Sequence, residues 1–143
     1  MKVKQLSIFL ENQSGRLADV TEAIGNEGVN IRALSLADTS GFGILRLIVD
    51  DIDKARDVLK SKQFTVRETD VIAVEIPDRP GGLGSVLKIF GDAKINIEYM
   101  YAFVQKASEN AVVIFRIDNV DQAIETLRSK GVKILSAEQV YAL

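Results

Sequence analysis

Two stretches concentrate the residues that could hold a small polar molecule: Glu11-Asn12-Gln13-Ser14-Gly15-Arg16-Leu17 and Pro77-Asp78-Arg79-Pro80-Gly81-Gly82-Leu83. In each, a glycine permits a tight turn. The apolar pattern beyond it predicts a helix, whose first N–H groups lack intrahelical acceptors. A turn that opens a helix in this way suits an anion, a carboxylate in particular. Asn12 or Asp78, three residues before the glycine, adds a polar group able to meet a ligand. The same features also fit a plain turn in which Asn12 or Asp78 caps the helix. Fifteen residues after each glycine come Asn30-Ile31 and Asn96-Ile97. Those asparagines are either turn residues tolerant of left-handed geometry or amides offered to a ligand at the start of a strand.

Composition narrows the chemistry further. The 143 residues include no His, no Cys and no Trp. A Ser-His-Asp or Cys-His nucleophile is therefore excluded, as are a Cys/His zinc site, a disulfide framework, haem ligation and iron–sulfur ligation. Carboxylates alone could still hold magnesium or calcium, but no metal and no cofactor is assigned. With 18 basic and 20 acidic residues the net charge is −2, which argues against a polyanion-binding surface. No apolar run approaches ~18–20 residues, so no membrane span is expected. The N-terminal apolar stretch is too short for a signal-peptide core. A cytoplasmic protein is expected.

The elements that must position these residues occur twice. Gly15 and Gly81 are 66 residues apart, and the same offset relates Leu17 to Leu83, Val20 to Val86, Gly25 to Gly91, Asn30 to Asn96 and Ile31 to Ile97. Farther on the offset becomes 68, relating Asp50 to Asp118, Ala55 to Ala123, Leu59 to Leu127 and Lys62 to Lys130. The change is explained by an insertion in a polar hairpin loop at Lys106-Ala107-Ser108-Glu109-Asn110, where length variation is tolerated.

Within each copy, Val3–Leu10 alternates as a strand, and Leu17, Val20 and Ile24 recur at helical spacing. Gly28 marks a helix C-terminus, with Lys94 in its place in the second copy. Strands follow from Asn30 and Asn96, then at Gly43–Val49 and Ala111–Ile117. Asp51 and Asn119 are natural N-caps of short helices presenting Ile52, Ala55, Val58 and Leu59, or Val120, Ala123, Ile124 and Leu127. Thr65–Thr69 and Lys133–Ala137 close the units. Val66–Ile76 reads as extended, broken near Thr69-Asp70. The fold class is α+β: two tandem ferredoxin-like βαββαβ units, residues 1–69 and 70–143, with antiparallel sheets and the helices on one face.

The Gly-Leu turn between strand and helix, with an Asn-Ile at the start of strand two, resembles the ACT domain. Val29-Asn30-Ile31, Ile95-Asn96-Ile97 and Asp78-Arg79-Pro80-Gly81 carry the likeness, which covers the chain as two copies. Ser14 departs from the Pro usual in the family. The resemblance implies a stand-alone, non-catalytic regulatory module that binds an amino acid or a similar zwitterion, with modules pairing through strand two. It implies one site of Asn12, Gly15, Arg16 and Leu17 with Asn96 and Ile97, and a second of Asp78, Gly81, Gly82 and Leu83 with Asn30 and Ile31. The neutral Asn12 makes the first loop the better expected carboxylate site, since Asp78 adds a negative charge.

Ile97, Tyr99, Tyr101 and Phe103 alternate onto one face, against the smaller Ile31, Ala33, Ser35 and Ala37. Such an aromatic face is either core or an interface, and a homodimer is expected. Three alternatives to a ligand sensor can be weighed. Ser40-Gly41-Phe42-Gly43 partly resembles an RNA-recognition signature, but the leading basic residue and the later stacking aromatics are missing. Asp50, Asp51 and Asp53 sit at a helix start, where capping and dipole effects account for them without catalysis. A structural or partner-binding module without ligand is the third. An ACT module with no catalytic domain attached would report to a separate enzyme.

Overall fold

The computed structural model describes residues 1–11, 13–39, 41–103 and 109–143. Its elements are β1 (Val3–Glu11), α1 (Arg16–Asn26), β2 (Ile31–Thr39), β3 (Phe42–Val49), α2 (Ile52–Ser61), β4 (Thr65–Pro77), α3 (Gly82–Asp92), β5 (Ile97–Ala102), β6 (Asn110–Ile117), α4 (Val120–Ser129), β7 (Ile134–Leu135) and α5 (Ala137–Tyr141). This is βαββαβ twice, with a short C-terminal helix added. The chain divides into two compact units, Lys4–Thr69, and Asp70–Leu143 together with Met1–Val3. The division falls inside β4. No break interrupts that strand at Thr69-Asp70, since neither Gly nor Pro stands there to end it. Of the expected hairpin loop, residues 106–108 lie outside the described residues, as does Ser40.

In the unit Lys4–Thr69, β3 lies between β2 and β1 and is antiparallel to both. Leu6 faces Leu47 and Ile8 faces Leu45, so β1 and β3 turn one apolar face to Val20, Ala23 and Ile24 of α1 and to Ala55 and Leu59 of α2. In the second unit, β6 lies between β5 and β4, and β7 pairs with β4. Ile72, Val74, Phe115 and Ile117 meet Val86 and Phe90 of α3 and Leu127 of α4 there. Phe90 and Phe115 stack edge-to-face, with centroids 5.3 Å apart and planes at 67°.

Local chemistry explains the helix ends. Asp51 and Asn119 accept from the N–H groups of Lys54 and Gln122, as their N-cap positions require. On α2, Arg56 donates to Glu68 of β4 at 2.9 Å and to Asp53 and Asp57 of its own helix. The Glu68 and Asp57 hydrogen bonds hold its guanidinium above the ordinary value. The expected strand Lys133–Ala137 shrinks to Ile134–Leu135. Ser136 starts α5 instead, through a reciprocal capping box with Gln139 that releases the chain from the sheet.

All four long helices end alike. The N–H groups of Gly28, Gln63, Lys94 and Gly131 bond to the carbonyls of Gly25, Lys60, Gly91 and Arg128. Those of Val29, Phe64, Ile95 and Val132 reach back to Ile24, Leu59, Phe90 and Leu127. This is the Schellman motif, with an apolar residue after the turn. It needs a left-handed residue, and the four φ values are 79°, 68°, 57° and 73°. The first and last are Gly; Gln63 and Lys94 carry side chains in the same conformation. Left-handed geometry costs an L-residue about 1–2 kcal/mol, partly offset by glycine's greater unfolded entropy. Gln63→Gly and Lys94→Gly are each expected to stabilise the protein by about 1 kcal/mol. Urea denaturation midpoints check this; lower midpoints in both would refute it.

Candidate functional site

The two loops between the first strand and first helix of each copy are built by the same hydrogen bonds. In the first, Gln13 N–H donates to the Glu11 carbonyl at 2.8 Å, Arg16 N–H to that of Gln13 at 3.3 Å, and Asp19 N–H to that of Gly15 at 2.9 Å. In the second, Arg79 donates to Pro77 at 2.9 Å, Gly82 to Arg79 at 3.0 Å, and Ser85 to Gly81 at 3.0 Å. The turn glycines have φ of 88° and 83° and are the N-caps of α1 and α3, without a side-chain cap bond. Asp78 therefore does not occupy the N-cap position, and Asn12 lies outside the described residues. The N–H groups of Leu17 and Ala18, and of Leu83 and Gly84, have no intrahelical acceptor and receive nothing from the capping glycine.

Arg16 and Gly82 hold the same place in these loops and have opposite surroundings. Gly82 is buried. Arg16 lies with its guanidinium carbon 4.8 Å from the Phe64 ring centroid and an Nη1 3.4 Å from Asp19. Its Nε is buried without an acceptor among the described residues. Leu17, at core spacing in the helix, is 41% exposed, whereas Val20 and Ile24 are buried. Leu83 packs against the core of its own unit.

Leu17 is exposed because it borders a cavity of about 280 Å³ between the first loop, β2 and β3. Its apolar walls are Leu10, Leu17, Leu36, Ala37 and Gly43; Glu11, Gln13 and Arg16 supply polar groups. A shallower groove of about 530 Å³ runs on the other side of Arg16, along α1 and the end of α2, past Asp19, Glu22, Lys62 and Phe64. Sequence reasoning named Arg16 and Leu17 but missed Leu36, Ala37 and Gly43. The available signal was Leu34-x-Leu36, two large apolar residues in a strand whose other face is Ala33-x-Ser35-x-Ala37. Leu34 and Leu36 are 46% and 53% exposed.

Asn30 and Ile31 are not beside this cavity within their unit. They stand at the opposite end of β2, about 16 Å along the strand from Leu36. Neither Asn30 nor Asn96 has a positive φ, so left-handed turn geometry does not explain them. Both are exposed. Asn30 is fixed through its backbone, its N–H donating to Asp50 Oδ1 at 2.9 Å and its carbonyl accepting from Asp50 N–H. The side chains of Ile31 and Ile97 pack against the helix-side cores. Each lies just before a register shift, between Ile31 and Ala33 and between Ile97 and Tyr99. That bulge corrects the expected alternation: Ile97 opposes the core residue Ile117, while Tyr99 and Tyr101 oppose Arg116 and Ile114 on the other face.

Among the described residues no cluster of acidic residues is arranged to hold a metal ion, and no helix is long and apolar enough to cross a membrane. A family profile described as an ACT domain pair matches residues 1–143. Among solved structures, a protein of Bacteroides thetaiotaomicron is 45% identical, with a TM-score of 0.94, over 100% of this chain and 98% of that one. The ligand-free regulatory subunit of aspartate kinase from Thermus thermophilus is similar in fold, with a TM-score of 0.64 and 14% identity over 88% of this chain and 91% of that one. The regulatory subunit of aspartate kinase from Thermus flavus has a TM-score of 0.63 and 16% identity over 96% and 92%. No curated protein matches the sequence significantly.

Proposed function

Because the chain belongs to the ACT domain pair family, we propose that it is a non-catalytic regulatory protein that binds an amino acid or similar zwitterion. The two ACT copies are residues 1–69 and 70–143. The observation that carries this reading is the pair of loops with matching hydrogen bonds, each opening a helix from a left-handed glycine that has no side chain to cap the first-turn N–H groups. Backbone donors so arranged suit a carboxylate. In this reading one ligand lies between Asn12, Gly15, Arg16 and Leu17 of one copy and Asn96 and Ile97 of a neighbouring one. The other lies between Asp78, Gly81, Gly82 and Leu83 and a neighbouring Asn30 and Ile31. The isoleucines offer only backbone to it, since their side chains serve the cores.

The protein acts in the cytoplasm on a separate enzyme. The likeness to proteins described as regulatory subunits of aspartate kinase supports such a division of labour. It pairs as a homodimer, for which the exposed Leu34 and Leu36 on β2 are the supporting feature. Light scattering at micromolar concentration should give twice the 15.7 kDa chain mass; a monomer's mass would remove the dimer. A thermal-shift screen against the twenty amino acids and their 2-oxo acids tests the ligand. A true ligand at about 100 times its Kd should add about 2.7 kcal/mol. A flat screen would favour a partner-binding module without ligand.

A further inference from the structure

The cavity beside the first loop has a chemistry that selects among amino acids. Five of its eight lining residues, Leu10, Leu17, Leu36, Ala37 and Gly43, are apolar or lack a side chain, and the remaining three include one cation, Arg16, and one anion, Glu11. Its volume of about 280 Å³ is at the small end for ligand sites. Leu17 and Leu36 are both more than two-fifths exposed, so apolar surface is lost from water when the space is filled. The opening depends on a small residue. Gly43, which faces Leu36 across the cavity's side of the sheet, corresponds in the second copy to Ala111, which carries more bulk.

Arg16 is poised for a second partner. It lines this cavity and the neighbouring groove alike. Its present ion pair with Asp19 is long, 3.4 Å, and half-exposed, a kind that contributes little. Among the described residues its Nε has no acceptor although it is buried, a state that a ligand oxygen would relieve. A guanidinium can hold a carboxylate through two parallel hydrogen bonds.

We propose that the first unit's cavity takes an amino acid with a mid-sized apolar side chain, of the leucine, isoleucine or methionine class. Arg16 receives its carboxylate in exchange for Asp19, Glu11 its ammonium, and Leu10, Leu17 and Leu36 its side chain. This rests on the amino-acid-binding reading above and specifies it. It differs from that reading in that β2 and β3 of the same unit supply the specificity.

Isothermal titration calorimetry on the full chain tests it. L-leucine or L-methionine should bind at least about 10-fold more tightly than L-serine or L-lysine, the scale set by apolar groups in a fitted pocket. Leucinamide, with its carboxylate blocked, should bind at least about 10-fold more weakly than leucine. In Arg16→Gln the leucine–leucinamide difference should collapse. Gly43→Ala, copying the second copy's residue, places a Cβ 3.4 Å from Leu36 Cδ1 on the cavity's face and should weaken leucine binding about 10-fold. Should that variant fail to fold, Leu36→Ser alters a side chain already exposed and should weaken leucine about 10-fold. Tighter binding of serine or lysine, or unchanged leucine affinity in Leu36→Ser, overturns the inference while leaving an amino-acid sensor intact. No heat with any amino acid overturns both.

Discussion

Phe90→Ala is expected to lower the stability of the unit Asp70–Leu143 by about 3–5 kcal/mol. Phe90 is 1% exposed and Phe115 is fully buried, and their edge-to-face contact adds about 0.5–1.5 kcal/mol to the burial of the two rings. The loss compares with a typical total of about 5–15 kcal/mol, so the variant should be close to unfolding at moderate temperature. The first copy fills the same two positions with Ile24 and Leu47, also buried. Each copy therefore reaches a packed core with a different pair of shapes. Phe90→Ile alone leaves Phe115 facing a void, whereas Phe90→Ile with Phe115→Leu restores the first copy's solution. The double variant should lose less than the sum of the single losses, a coupling that a double-mutant cycle reads directly. Urea denaturation followed by circular dichroism provides the measurement. A loss below about 1 kcal/mol for Phe90→Ala would contradict the cavity argument.

What could be read from the residues alone divides along physical lines. Features set by a few consecutive residues were legible: the glycine turns at Gly15 and Gly81, the N-caps at Asp51 and Asn119, and the left-handed helix end at Gly28. Each depends on local backbone chemistry, and the duplicated sequence displays the glycine turns and the N-caps twice. Ser136 and Gln139 also spelled a capping box, but the apolar alternation from Lys133 competed with it and lost. Features set by distant residues were not legible. Leu17 has core spacing in its helix, yet it is exposed because it borders the cavity walled by Leu36, Ala37 and Gly43 of β2 and β3. The bulge after Ile97 turns the aromatic row to the other face, and strict alternation cannot anticipate an extra residue. The two turns that open α1 and α3 were legible, with Arg16, Leu17, Gly82 and Leu83 standing in the first turns of those helices. The walls of the cavity were missed, because they come from the second and third strands and meet Leu17 only in three dimensions.

Gly82→Ala is expected to destabilise by about 1–3 kcal/mol or more, and the neighbouring Gly84→Ala to do the opposite. Gly82 is the first residue of α3. A Cβ there would collide with the carbonyl oxygen of Pro77 and come within 3.4 Å of Ile76 Cγ2. The obstacle is backbone, which cannot rotate aside. Gly84, two residues on in the same helix, has nothing within 4 Å of an added Cβ and no positive φ. Alanine there should gain about 0.5–1 kcal/mol through helix propensity and reduced unfolded entropy. Opposite signs two residues apart separate a close backbone approach from a general intolerance of α3 to substitution. Denaturant midpoints decide it, and equal small effects at both positions would refute the close approach. The consequence reaches the ligand sites. Arg16 occupies the matching place in the first loop, over the Phe64 ring, whereas the second loop has no space for any side chain there. Gly82→Arg should therefore fail to build a second cationic anchor and should unfold its unit more readily than Gly82→Ala. The converse change, Arg16→Gly, loses mainly a cation–π contact of about 0.5–1 kcal/mol. The two copies share one loop backbone, but only the first can direct a side-chain cation at a carboxylate from that position.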